Sequence, residues 1–282
     1  LQGSFRLGTV IRPYRNSQNV DYDIDQVCEV NGTDSNPRQL KHDIGDRLNE
    51  DGNYQHMLDN EGCRCWTLKY AASNGRPGFH LDVLPSRLAA SGHSHIDITH
   101  KLSNVNYEWR SSNPRGYYQW FKRINMLGDQ LTANQKLSIY SSNKTLYKSA
   151  EDVPKQLIRT PLQRSIQLMK RHRDVYFDGR DYCPASIVLT TICSHKYQRQ
   201  GILETVTSFV NYVISRLLIV VRGESLPTDN VLDYQNGKWV IKNPADNNEN
   251  FADKWDSEPA YAQNFFSWVY QLSRNVNAFN RS

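Results

Sequence analysis

The stretch GSFRLGTVIRPYRNSQNVDYDIDQV, residues 3–27, carries three aspartates within five positions: Asp21, Asp23 and Asp25. Like charges that close repel one another unless water screens them or a cation sits among them. A calcium loop of the D-x-D-x-D-G type needs glycine at its sixth position and glutamate at its twelfth. Counted from Asp21, those positions hold Gln26 and Gly32, which excludes that loop. A strand fits better. Residues i and i+2 of a strand face the same way, so Asp23 and Asp25 project side by side, with Tyr22 and Ile24 as apolar support. Asp21 then falls at the start of the strand as a solvated loop residue.

Two carboxylates on a rigid strand form a hard-oxygen site suited to Mg²⁺ bound together with substrate phosphates. Phosphoryl-transfer sites often hold two such ions about 4 Å apart, and a pair of ions usually needs a third carboxylate. FHLDVLP, residues 79–85, supplies one in Asp82, a lone charge inside an otherwise apolar strand, where it would be costly without a partner. Upstream, Gly3-Ser4 opens a turn or helix whose backbone N–H groups and hydroxyl suit an anion such as phosphate. Each signal is weak alone. Their order along the chain makes the combination specific.

The rest of the chain sets bounds. With 282 residues, 38% hydrophobic and 22% charged, it has the composition of an ordinary folded protein with a substantial core. The net charge of +5 suits a polyanionic ligand such as a nucleotide, although it also suits plain solubility. Five cysteines without paired C-x2-C spacing read as reduced thiols and imply a cytoplasmic protein. No signal-peptide pattern is visible. The most apolar run, VISRLLIVV, is broken by Arg216, so no membrane span is expected.

Two regimes follow one another. From 1 to 154, short β-type runs (8–13, 22–30, 65–71, 79–85, 95–102) alternate with polar loops (31–39, 50–62, 103–115) and one amphipathic helix at 37–48. From 155 to 282 the period is helical: 160–177 with Thr160 as N-cap and Pro161 in the first turn, then 183–198, 201–223 and a last pair within 250–279. Sheet first and helices afterwards predicts an α+β fold, with a palm over 1–154, a helical domain over 155–282 and the active site in the cleft between them.

At these residues the chain resembles the DNA polymerase β-like nucleotidyltransferases, and most specifically the bacterial cGAS/DncV-like nucleotidyltransferases. The resemblance rests on Gly3-Ser4, Thr9-Val10-Ile11-Arg12-Pro13, Asp23-Ile24-Asp25 and Leu81-Asp82-Val83, and extends to SNPRGYYQWF, LQRSIQLMKRHRD, PASIVLTT and NPADNNENFADKW. It implies that Gly3 and Ser4 hold the triphosphate and that Asp23, Asp25 and Asp82 bind two Mg²⁺ ions (Mn²⁺ as a substitute). Asp82 would lie nearest the attacking ribose hydroxyl. Lys170 and Ser186 match a lysine and a serine that grip phosphate oxygens; Lys170 also fits a solvated position in the basic run KRHR. Where some relatives follow that serine with a base-stacking tyrosine, this chain has Ile187. The family usually has a long helix before its Gly-Ser motif, so a preceding segment is expected.

The implied activity is joining nucleoside triphosphates into a cyclic di- or trinucleotide messenger of bacterial anti-phage defence. Regulatory or effector proteins of the same operon would be partners, and no nucleic-acid activator is indicated. Two rivals are transfer of a nucleotide to a drug, protein or RNA end on the same fold, and a silent nucleotide or RNA sensor. His93, His95 and His100 read as polar surface, not as a metal cluster. RGYYQWFKR reads as core aromatics with basic tips that reach solvent.

Overall fold

Residues 22–30 form the strand on which the sheet is built. In this computed structural model, residues 1–282 are described except 32–35, 73–77, 91, 93, 127–128, 143, 146–148, 150–157 and 282, with the backbone alone given at 129–133. The chain opens on α1 (Gly3–Leu7), a hairpin of β1 (Tyr14–Arg15) and β2 (Gln18–Asn19), then β3 (Tyr22–Val30), α2 (Pro37–Glu50), α3 (Gly52–Gln55), β4 (Trp66–Tyr70) and β5 (Phe79–Leu88). There follow β6 (Ile96–Lys101), β7 (Tyr107–Ser112), α4 (Pro114–Ile124), α5 (Asp129–Ser142), α6 (Pro161–Tyr176), α7 (Ser186–Lys196) and α8 (Ile202–Val221). Two hairpins, β8 (Asp233–Gln235) with β9 (Lys238–Val240) and β10 (Lys242–Asn243) with β11 (Asp246–Asn250), lead to α9 (Lys254–Ser257) and α10 (Ala260–Phe279).

The main sheet is mixed. β3 runs parallel to β5 along its length, while the other edge of β5 pairs with β4 over 79–83 and with β6 over 86–88, and β7 closes the far side. Pro85 has no N–H to donate and falls in the gap between those two lateral partners, where a proline is tolerated. One core joins α6, α7, α8 and α10 around Leu162, Ile166, Phe209, Phe265 and Trp268, and extends to Leu7, Tyr117 and Phe121 from the first half of the chain. The expected α+β architecture is present.

Some local expectations fail, among them the loop at 50–62, which holds α3. Residues 8–13 form no strand. Their neighbouring carbonyls are taken by side chains along one face of α6: Gln163 donates to Leu7 O (2.9 Å), Lys170 to Thr9 O (3.1 Å), Gln167 to Val10 O (2.8 Å) and Arg171 to Arg12 O (2.9 Å). With those acceptors occupied, the segment has no ladder to join. Residues 103–115 are not a loop; they hold β7, paired to β6 from Ile96↔Ser112 to Lys101↔Tyr107, and the start of α4. The hairpins at 233–250 were not foreseen either, although Asn236-Gly237, both with positive φ, is the type of turn that closes a two-residue hairpin.

The helix expected over 201–223 is present as α8. It runs through Arg216, and by length and composition it is apolar enough to cross a membrane. One face of it packs into the helical core with Val206, Phe209, Val210 and Val213 buried, and Arg216 pairs with buried Asp233 at 2.8 Å. The boundary expected at 154/155 lies outside the described residues.

Thr160 and Gln163 form a capping box, and the same Gln163 side chain also donates to Leu7 O. Gln163→Ala therefore removes a helix cap and a tether of the first segment together. An unfolding free energy lower by about 1–2 kcal/mol in urea titration is expected.

Candidate active site

The register of two parallel strands creates the acidic centre. Asp25 on β3 lies opposite Asp82 on β5, and Asp23 lies opposite His80. Asp23 and Asp25 share a face by strand alternation and Asp82 joins it by register, so the three carboxylates fall on one side of the sheet. Asp82 is oriented by its antiparallel neighbour Thr67, whose hydroxyl donates to Oδ1 at 2.6 Å. That leaves Oδ2 free of this contact. His80 Nδ1 is 3.3 Å from Asp23 Oδ1. Asp21 precedes the strand with its carboxylate set against Gly78.

Gly3 closes the site from above. The Gln2 N–H donates to Asp25 O at 2.8 Å, which seats the start of α1 on β3. Gly3 has φ +64°, and a Cβ there would collide with Asp25 Oδ2. Only glycine meets both conditions. Arg6 stacks 4.3 Å over Tyr118 and fixes the other end of α1 to α4.

Lys170 and Ser186 are brought to the same cleft. Lys170 is buried on α6 with its Nζ on Thr9 O. Burial, with neighbouring Arg173, depresses its pKa to about 8, against the opposing pull of Asp174, Asp25 and Asp23. It is not the solvated residue that the run KRHR allows. Ser186 starts α7, and its hydroxyl accepts from Arg173 at 2.8 Å. Arg173, missed in the sequence, is buried beside Asp174 at 2.7 Å and also donates to Pro184 O. Its spacing from Lys170, i to i+3 on a helix, was the available signal. Thr67 and His80 were missed as well; strand pairing alone brings them to the aspartates.

Gly3, Ser4, Asp23, Asp25, Lys170, Arg173 and Ser186 line an open cleft of about 1040 Å³, which also takes in Tyr14, Tyr118 and Tyr182; Asp82, opposite Asp25 in the sheet, is not part of that lining. That volume is at the upper end of the ~300–1,000 Å³ usual for ligand pockets. His95 and His100 sit elsewhere, on Asn113 and Cys63, and His93 lies outside the described residues. All five cysteines are free thiols.

Burial raises the Asp25 pKa to about 6, with Asp82 and Asp23 adding like-charge repulsion and Lys170 opposing it. Among the described residues no three acidic, histidine or cysteine side chains already converge as a metal-binding cluster. The donor set nonetheless fits a hard divalent cation: carboxylate oxygens on adjacent strands whose mutual repulsion a cation would relieve.

A parallel pair of strands presenting such aspartates beneath a Gly-Ser helix start, faced by a helical half, defines the nucleotidyltransferase palm. Over 276 residues, 96% of its length, the chain is 29% identical to a c-di-GMP synthase of Roseivirga ehrenbergii. Over 270 residues it is 24% identical to the cyclic dinucleotide synthase CdnG of Bradyrhizobium diazoefficiens. It spans 64% and 60% of the lengths of these two relatives. The structure of the Bradyrhizobium CdnG in complex with GTP superposes with a TM-score of 0.76 at 22% identity, covering 100% of this chain and 78% of that one. The CdnC chain from the E. coli CdnC–HORMA complex gives 0.62 at 14% identity, covering 98% and 75%. No protein-family model matches the chain. Over nearly its whole length the chain is thus similar to cyclic dinucleotide synthases of the cGAS/DncV-like type.

A carboxylate whose folded pKa is raised stabilises the fold at low pH and loses that contribution as pH rises through about 6. Asp25→Asn should therefore stabilise the metal-free protein at pH 8, by on the order of 2 kcal/mol, and by much less at pH 4. Thermal melts in chelator at the two pH values measure the difference.

Proposed function

We propose that this chain carries the catalytic centre of a cytoplasmic, Mg²⁺-dependent enzyme that joins nucleoside triphosphates into a cyclic di- or trinucleotide with release of pyrophosphate. The observation that carries the reading is the register that sets Asp82 beside Asp25, with Asp25 lining the cleft and Gly3 pressed against it. The names of its relatives, both synthases of cyclic dinucleotides, support it.

In this reading Asp23, Asp25 and Asp82 hold two ions. Ions held there would supply charge neutralisation for the triphosphate and acidity at the attacking hydroxyl. Asp82, steadied by Thr67, keeps Oδ2 as the acceptor for the ribose hydroxyl proton. The backbone at Gly3 and Ser4 approaches the phosphates closely because no side chain stands at Gly3. Lys170 and Arg173 put positive charge where the phosphate oxygens lie, with Ser186 oriented by Arg173. Catalysis then rests on alignment and charge compensation, with little covalent chemistry asked of the protein. Tyr182, exposed in the cleft, offers the aromatic face that Ile187 does not. The work belongs to anti-phage signalling, with operon-encoded effector or regulatory proteins as partners; a HORMA protein accompanies the structurally similar CdnC.

Incubation with all four triphosphates and Mg²⁺ should release pyrophosphate and yield a cyclic product by mass spectrometry. No release would refute the activity, and a product formed only with an added acceptor would point to transferase chemistry of another kind. Asp23→Asn and Asp25→Asn should each lower turnover by roughly 10³-fold or more, the scale of losing transition-state charge stabilisation. Gly3→Ala should cripple turnover too, through its collision with Asp25 and its positive φ, and loss of Mg²⁺-dependent triphosphate binding in the variant checks this.

A further inference from the structure

Strand register sets two rows of side chains across β3, β5 and β4: Asp23, His80 and Lys69 in one, Asp25, Asp82 and Thr67 in the next. Residues directly opposite one another share a face, so each row sets an aspartate beside a donor on the neighbouring strand. In the second row the donor is Thr67, on Asp82. In the first it is His80, whose Nδ1 lies 3.3 Å from Asp23 Oδ1. An ionised carboxylate only accepts, so the ring hydrogen sits on Nδ1. Among the described residues no other side chain bonds to Asp23. Asp23 lines the cleft, whereas His80, Thr67 and Lys69 do not. The imidazole therefore reaches the carboxylate from outside the space that a substrate would fill.

The third member of the first row is kept off Asp23. Lys69 stands across from His80, but its Nζ is 2.6 Å from Asp59 Oδ2. Asp59 is itself seated on β4, its N–H donating to Thr67 O at 2.9 Å. The ammonium is thus engaged elsewhere; on Asp23 it would compete with a metal ion for the same oxygens. A single N–H from His80 engages Oδ1 and leaves Oδ2 free of this contact. The Asp23 side chain is 53% exposed, so without that bond little would restrict its rotation. One directional bond lowers the ordering cost that ion binding must meet.

We infer that His80 is a positioning residue of the metal site, fixing Asp23 through Oδ1 as Thr67 fixes Asp82, so that the affinity for a divalent cation depends on the imidazole N–H. This rests on the metal-dependent nucleotidyltransferase reading above and adds a residue outside the three carboxylates. His80 acts through Asp23 and touches neither substrate nor the reacting atoms. Its role is directional: an amide N–H in the same place would serve, and an apolar ring of similar size would not.

The test reads ion binding without turnover. Mn²⁺ is titrated by calorimetry into chelator-stripped protein in the absence of nucleotide, at one fixed pH. His80→Phe should weaken Mn²⁺ binding about 10-fold, the lower end of what loss of an outer-shell partner costs, because the contact is partly exposed. His80→Asn, whose amide N–H can stand in for Nδ1–H, should stay within about threefold of the unmutated protein. Melts in chelator confirm that each variant folds; if His80→Phe loses its cooperative transition, His80→Ala replaces it with the same expectation. In pyrophosphate-release assays His80→Phe should raise the Mg²⁺ concentration for half-maximal turnover by a similar factor, with kcat at saturating Mg²⁺ within about threefold. Unchanged Mn²⁺ affinity in His80→Phe, or binding by His80→Asn as weak as by His80→Phe, would overturn the assignment. If the unmutated protein binds no Mn²⁺, or Asp25→Asn binds it equally well, the metal-site reading itself falls, and this inference with it.

Discussion

The four side chains of α6 that take the carbonyls of Leu7, Thr9, Val10 and Arg12 hold the two halves of the molecule in one arrangement. They lie at positions 163, 167, 170 and 171, on one face of the helix, and bind a segment that has no secondary structure of its own. The start of α1 is thereby fixed between β3 and the helical core. Without that ladder Gly3 would have no fixed height above Asp25, and Lys170 would have no reason to be buried beside the acidic centre. The hairpin that follows is held by the same neighbourhood, since Asp178 accepts from the backbone N–H groups of Asn16 and Ser17 at 2.6 and 2.9 Å.

The acidic centre is a compromise between stability and chemistry. Setting Asp25 beside Asp82 in a partly desolvated sheet raises the Asp25 pKa to about 6, an electrostatic cost that the metal-free fold bears. The same proximity gives the site its attraction for divalent cations. Lys170 bears the mirror-image cost, its charge opposed by burial and favoured by the aspartates. Each group is disfavoured alone, and a bound metal–triphosphate complex would satisfy them together.

Much of this was legible in the residue order. D-x-D on a strand predicted that Asp23 and Asp25 share a face, and the lone charge in an apolar run singled out Asp82. The capping signal at Thr160 and Pro161 placed α6 correctly, and β3 begins and ends where the alternation does. Other features were written in the sequence but went unread: the Asn236-Gly237 turn, and the alternation of Tyr107 and Trp109 with charged residues in β7. The failure at 8–13 was of a different kind, because a β-prone run lost its strand to side chains more than 150 positions away.

The sequence by itself determined the chemistry on offer, since residue type and local period fix which groups a segment can present and on which face. Hence three carboxylates, a glycine next to a serine, and a basic helix could be named in advance. Tertiary structure decided which of them meet. The register that puts Asp82 beside Asp25, the Thr67 hydroxyl that orients it and the turn of Arg173 toward Ser186 all depend on contacts between distant segments. Such contacts are set by packing and by the satisfaction of buried polar groups across the whole chain, and no local period encodes them.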